Sequence, residues 1–119
     1  MTINASQVVA TIGAPMALTT TTGTTGAGLG TPITEVAGSV LALHDIQLQL
    51  VAGTAATRVY LKAGTVSFRD VYLGEVGDGL IFVPPPGKEI RLTVSQPFVL
   101  DNTGGTVAYT VRSTVEAEL

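Results

Sequence analysis

From Asp45 onward the chain alternates apolar and polar residues with a period of two, segment after segment. Ile46, Leu48 and Leu50 alternate with Asp45, Gln47 and Gln49. Successive side chains of a β-strand point to opposite faces, so such a run predicts a strand with one buried and one wet face. Val59 and Leu61 alternate with Arg58, Tyr60 and Lys62, and Val66 and Phe68 with Thr65, Ser67 and Arg69. The phase then slips, because the next apolar pair is Val71 and Leu73, and a bulge or a bend between sheets produces such a slip. Ile90, Leu92 and Val94 form another alternating set, as do Val107, Tyr109, Val111 and Val115. Leu80 to Val83 is apolar on both phases and predicts a short strand covered on both sides.

Turn chemistry separates these runs. Gly53-Thr-Ala-Ala, Ala63-Gly64, Gly74-Glu-Val-Gly-Asp-Gly79, Pro84-Pro-Pro-Gly87 and Asp101-Asn-Thr-Gly-Gly105 all fall between strand-like stretches. Short strands with such punctuation, rich in Val and Thr, predict an all-β chain. The expected fold is a two-sheet antiparallel sandwich, jelly-roll-like or immunoglobulin-like, with an extended N-terminal arm. Periodicity does not separate the two topologies. No amphipathic helix of ten residues stands out, and Val36 to Leu43 reads either as the start of the strand ending at Leu50 or as a short helical turn.

Charge divides the chain unevenly. Residues 1–39 carry one charged residue, Glu35, and residues 40–119 carry the other fourteen. The chain is therefore expected to consist of an arm over 1–39 and a sandwich body over 40–119. The arm contains the tract Thr19-Thr-Thr-Thr-Gly-Thr-Thr-Gly-Ala-Gly-Leu-Gly-Thr31, which has little to bury and loses much backbone entropy on ordering. It reads either as a loop or linker or as a segment that orders against a partner. Gln7 to Thr11 and Pro15 to Thr19 have the composition of two further short strands.

Composition excludes several classes of function. With 119 residues the chain is one domain, long enough to bury a core without staples. It has no cysteine, so disulfides, thiolate metal sites and cysteine nucleophiles are ruled out. A net charge of −3 with six scattered Lys and Arg lacks the basic patch that nucleic acid requires. No run approaches the roughly 20 apolar residues of a membrane-spanning helix. The first residues have neither a positive n-region nor an apolar h-region, so no secretory signal is expected.

Chemistry is sparse. His44-Asp45 is the one histidine beside a carboxylate, but no Ser occupies a nucleophile elbow, and neighbouring strand residues are expected to diverge to opposite faces. Gly26-Ala-Gly-Leu-Gly30 lacks the strand before and the helix after that a phosphate loop needs. Asp70, Asp78 and Asp101 do not form a calcium-loop run. Pro84, Pro85 and Pro86 read as a rigid corner ending a strand, with an exposed contact as the alternative. No enzyme, cofactor or metal is expected.

A short cysteine-free chain, a Thr/Gly/Ala/Val-rich N-terminal segment and a strand-rich body containing Gly79-Leu-Ile-Phe-Val-Pro-Pro-Pro-Gly-Lys-Glu-Ile-Arg-Leu92 resemble the small β-sandwich head decoration, or cement, proteins of tailed bacteriophages. The resemblance is one of style over the whole chain and has no diagnostic motif. It implies a structural virion protein without catalysis, made in the host cytoplasm. It also implies a homo-oligomer, often a trimer, seated on the major capsid protein at the capsid surface and stabilising the shell. On that reading the contacts are Thr20, Thr21, Thr22, Thr24, Thr25 and Leu29 of the arm, and Pro84, Pro85 and Pro86. Tyr60 and Tyr72, out of phase with the apolar residues, are expected to face outward as further contacts. The alternative is a receptor-binding or adhesion module of a virion fibre or tail. It would carry aromatics or charges on its loops, and Gly74 to Gly79 and Asp101 to Gly105 are small and polar instead.

Overall fold

The computed structural model describes residues 18–53 and 56–117. The expected strands Gln7 to Thr11 and Pro15 to Thr19 lie wholly or mostly outside that range. Nine strands are present among the described residues: β1 Thr19–Thr25, β2 Gly28–Ile33, β3 Ser39–Ala52, β4 Thr57–Ala63, β5 Val66–Leu73, β6 Gly79–Phe82, β7 Ile90–Arg91, β8 Phe98–Asn102 and β9 Thr106–Ala117. They form two antiparallel sheets packed face to face, as the alternation predicts. Sheet A has the order β1-β9-β3-β6, with β7 also on β3, and sheet B has the order β2-β8-β4-β5.

β6 and β7 pair with successive parts of the same edge of β3, at Ile46–Gln49 and at Ala42–Leu43. They act as one strand interrupted by the proline corner. Counted so, each sheet has four strands, and the chain crosses between sheets at nearly every connection. The first strand lies beside the last, and the second beside the penultimate. This interleaved order is that of a jelly roll, and it resolves the topology that periodicity left open.

The core follows the alternation. β3 contributes Leu41, Leu43, Ile46, Leu48 and Leu50, while β4 contributes Val59 and Leu61 and β8 Phe98 and Leu100. Val71 and Leu73 of β5, Val107 and Val111 of β9, and Leu92 complete it. Two bulges adjust the pattern. At His44 the register of β3 against β9 shifts, which moves the buried phase from odd to even positions. At Phe68 an extra residue in β5 opposes the Leu61–Lys62 step, and this is the slip visible in the sequence. Phe68 leans onto the buried Phe98, ring centroids 6.4 Å apart.

The tract Thr19–Thr31 belongs to the sandwich. β1 and β2 are the edge strands of the two sheets on one side, each paired with a strand far away in sequence. Residues 19–33, assigned to the arm from composition, are thus hydrogen-bonded body strands. Their inner positions are small or polar (Thr21, Gly23, Thr25, Gly28, Gly30), so the two sheets converge here on little apolar matter. A polar knot fills the end instead. The side chain of Asn102, 1% exposed, accepts from Thr57 Oγ1 at 2.7 Å and from Gly104 N–H at 3.1 Å. Its Nδ2 donates to the carbonyls of Gly26 (3.1 Å), Gly105 (3.0 Å) and, more weakly, Thr25 (3.4 Å). Gly105, at φ +69°, allows this turn, because a side chain there would meet Ala52 O at 2.6 Å.

On the opposite side of the sandwich, the edges β5 and β6 are closed by Arg69. Its guanidinium stacks over the Phe82 ring at 4.2 Å.

Three local expectations change. Leu80 to Val83 is not covered on both sides, since Ile81 is 71% and Val83 62% exposed while Leu80 packs on the core. β6 is an edge strand, and its outer phase has no described layer above it. The alternation at Ile90–Val94 yields only two strand residues, because just after Leu92, whose N–H still donates to Leu41 O at 2.9 Å, Thr93 begins a turn. Val36 to Leu43 contains no helix; Gly38, at φ +74°, precedes a long strand that starts at Ser39.

Candidate interaction surfaces

No buried reactive centre emerges from the residues singled out in the sequence. The bulge places His44 and Asp45 against neighbouring residues of β9, rather than on opposite faces as expected. His44 Nε2 lies 2.9 Å from Thr114 Oγ1, and Asp45 Oδ2 accepts from Arg112 at 3.0 Å. The threonine is 3% exposed, so its hydroxyl is closed to a substrate. Asp70 pairs with Arg58, and Asp101 pairs with Lys62 at 3.3 Å. Asp78 Oδ2 caps its own turn, accepting from Gly74 N–H at 2.9 Å and Glu75 N–H at 3.1 Å. Among the described residues no cluster of three or more His, Asp or Glu is placed to hold a metal ion.

The structure offers two extended faces instead. The outer face of sheet B gathers Leu29, Tyr60 and Tyr72 from three strands. Register aligns Leu29 with Asp101 and places Tyr60 between Asp101 and Asp70. Tyr72 stands opposite Arg58, whose guanidinium lies 5.7 Å from the ring centroid, and is a diagonal neighbour of Tyr60. Leu29 is 72% and Tyr72 63% exposed, while Tyr60 is half-buried. Arg58, Lys62, Asp70 and Asp101 complete this patch. Alternation marks them as outward-facing, but their convergence depends on strand order, which no local signal carries.

The outer face of sheet A is different in kind. Thr20, Thr22 and Thr24 of β1 are exposed and stand beside Arg112, Thr110 and Ala108 of β9. Beyond them come Asp45, Gln47 and Gln49 of β3, then Gly79 and Ile81 of β6. Apart from the Asp45–Arg112 pair these rows carry no charge. A shallow groove of about 430 Å³ runs between β9, β3 and β6, floored by Ala108 and Gly79 and walled by Gln47, Gln49, Thr110 and Ile81. Asp45 is 7% exposed, and its Oδ1 is buried without a hydrogen-bond partner.

Not every expected contact is available. Thr25 is buried, and Thr21 is half-buried on the inner face, because alternate residues of β1 point into the sandwich. Pro84 is buried as well, so only Pro85 and Pro86 are exposed. The corner they form is a tight turn closed by Lys88 N–H to Pro85 O at 2.9 Å, with Gly87 at φ +81°.

Beside the turn, the Glu89 carboxyl is held below its ordinary value of 4.5. The first cause is a hydrogen bond from its own backbone N–H, then one from Gly87 N–H, with the charges of Arg91 and His44 adding to them. Arg91 is raised further above its usual range by its hydrogen bond to Glu116 and by the charges of Glu116 and Glu89. No protein-family model and no curated protein matches the chain.

Proposed function

We propose that this protein is a non-enzymatic structural component of a virion, a decoration protein that binds the assembled capsid shell and reinforces it. The observation that carries the reading is the uncharged part of the outer face of sheet A, the rows running from Thr22 and Thr24 across Thr110, Ala108, Gln47 and Gln49 to Ile81 and Gly79, continuous with the uncharged edge strand β1. Such a surface is suited to broad, shallow contact with a repeating protein lattice, where many weak copies add up through symmetry. The jelly-roll order fits the same reading by analogy, since it is shared by many capsid and lectin domains, but fold alone does not assign a role.

The test is co-sedimentation of the purified protein with assembled shells and, separately, with unassembled major capsid protein. Binding to shells alone, with a rise in the shells' melting temperature, supports the reading. Saturating protein that neither pellets with shells nor changes their melting overturns it.

The Tyr60–Tyr72–Arg58 patch on sheet B favours a second reading, a receptor-binding or adhesion module. Exposed Tyr and Arg are the residues enriched where proteins recognise partners. Retention on host-cell surfaces that is lost with Tyr72→Ala, without any binding to shells, would move the assignment there.

A further inference from the structure

The four sheet edges of this sandwich are not protected alike. A strand edge exposes unpaired N–H and C=O groups and invites another strand, and proteins blunt it with charge, proline, bulges or brevity. β2 carries Pro32 and an irregular register between Gly30 and Ile33. β5 carries the bulge at Phe68 and the charged pair Arg69 and Asp70. β6 and β7 have four and two residues and are separated by Pro84 to Pro86. β1 has none of these devices. Its seven residues are six threonines and a glycine, it pairs with β9 without a register break, and no described strand covers its other edge.

We infer that the free edge of β1 pairs antiparallel with the same edge of a second copy of this chain, joining two A sheets into one across a two-fold axis at Thr22. This deepens the assembly reading by naming a self-contact, and it stands or falls in the absence of any shell. Three features of the edge select a second copy as the occupant.

The first is charge. The molecule is net negative at −3, and β1 is a neutral stretch along which two copies meet without opposed like charges. The second is self-complementarity. A two-fold contact sets the same patch against itself, and centring it on Thr22, the middle of the strand, pairs the whole edge. Thr20 then faces Thr24 of the second copy, and Thr22 faces its own equivalent. The outer face acquires a cross-strand ladder of threonines, which pair well in sheets. The third is size. Pairing a seven-residue edge forms roughly six backbone hydrogen bonds but covers well below the ~1,600 Å² of a standard stable interface. The dimer is therefore concentration-dependent, with a dissociation constant in the micromolar range. A closed two-fold contact gives dimers, so β1 does not account for the trimer that the resemblance implies.

The absence of cysteine from the chain makes the test direct. Paired residues in an antiparallel ladder have Cα atoms about 4.5–5.5 Å apart, within disulfide reach. Thr22→Cys is a small change at an exposed position, and under mild oxidation it should link most of the protein into dimers. Ser67→Cys, exposed on β5, should stay largely monomeric under the same conditions. Sedimentation velocity of the unmodified chain across concentrations should show a monomer–dimer equilibrium. Thr22→Lys should weaken that equilibrium roughly fivefold, since like charges directly opposite disfavour a pair, although the substitution moves the net charge toward zero. Unchanged circular dichroism would show that this variant is folded.

An unmodified chain that stays monomeric at several hundred micromolar overturns the inference. So does equal cross-linking of the Thr22→Cys and Ser67→Cys variants, or a dimer indifferent to Thr22→Lys. A monomer that nevertheless pellets with shells would leave the assembly reading standing without the β1 contact. A dimer that ignores shells would do the reverse.

Discussion

Replacing Asn102 with alanine tests whether the narrow end of the sandwich is held by a polar knot rather than by apolar packing. The substitution removes four good hydrogen bonds, those with Thr57 Oγ1, Gly104 N–H, Gly26 O and Gly105 O. Thr57 has a second partner, since its hydroxyl lies 3.3 Å from Thr103 Oγ1, so it is not orphaned. The other three groups lose a buried partner at a cost of about 1–3 kcal/mol each. Water entering the small void recovers part of that, which leaves a net loss near 3–4 kcal/mol. For a domain of this size such a loss lowers the melting temperature by roughly 15–25 °C.

The assay is urea unfolding followed by far-ultraviolet circular dichroism, with the slope compared to confirm that the same surface unfolds. Asn102→Asp sharpens the test. It keeps an acceptor for Thr57 and Gly104 but aims a second oxygen at carbonyls that expect a donor. Protonation restores one O–H donor, so this variant should gain on wild type as the pH falls. A loss below about 1 kcal/mol for Asn102→Ala, the range of an ordinary surface change, would refute the reasoning. Convergent bonds from three chain segments would then contribute no more than a solvated amide.

Gly23→Ala should destabilise by about 1–2 kcal/mol in the same assay, because a methyl there would sit 2.6 Å from Tyr109 Oη and 2.9 Å from Cζ and the ring must shift. Arg69→Ala removes the guanidinium lid over Phe82 and should cost about 0.5–1 kcal/mol, with faster amide exchange in β5 and β6 before the rest of the sandwich. The Glu89 carboxyl resonance should titrate below 4.5. Its folded value lies below its unfolded one, so its contribution to stability is present above that value and lost as the pH falls through the folded one. Glu89→Gln should flatten this part of the acid limb, and a Glu89 titration at or above 4.5 would contradict the hydrogen bonds drawn to it.

The parts of this fold legible in the sequence are those decided within a few residues. Ile46, Leu48 and Leu50, or Val59 and Leu61, announce a half-buried strand because burial alternates locally. Even the bulge at Phe68 shows, as a phase slip. β1 and β2 were not legible because their inner face packs Thr and Gly beside Asn102, and nothing apolar marks it. Ile81 misleads for the opposite reason, since an apolar side chain on an edge strand need not be covered. The sheet B patch unites Leu29, Tyr60 and Tyr72 only through the order β2-β8-β4-β5. That order is set by pairings between segments up to some seventy residues apart, and no window of the sequence contains it.

The same interleaving fixes when the molecule can be completed. β1 has its ladder partner in β9, and β2 has its partner in β8, so the earliest described strands wait for the latest. Until β9 arrives, sheet A has no middle, because β9 stands between β1 and β3. β3 can meanwhile pair only with the short β6 and β7. Closing so long a chain is entropically slow, and for that interval the unguarded edge of β1 and the long apolar β3 are both exposed. The sandwich therefore closes only once β9 is available, and loss of a few residues from β9 would be felt first at β1, its partner far away in sequence.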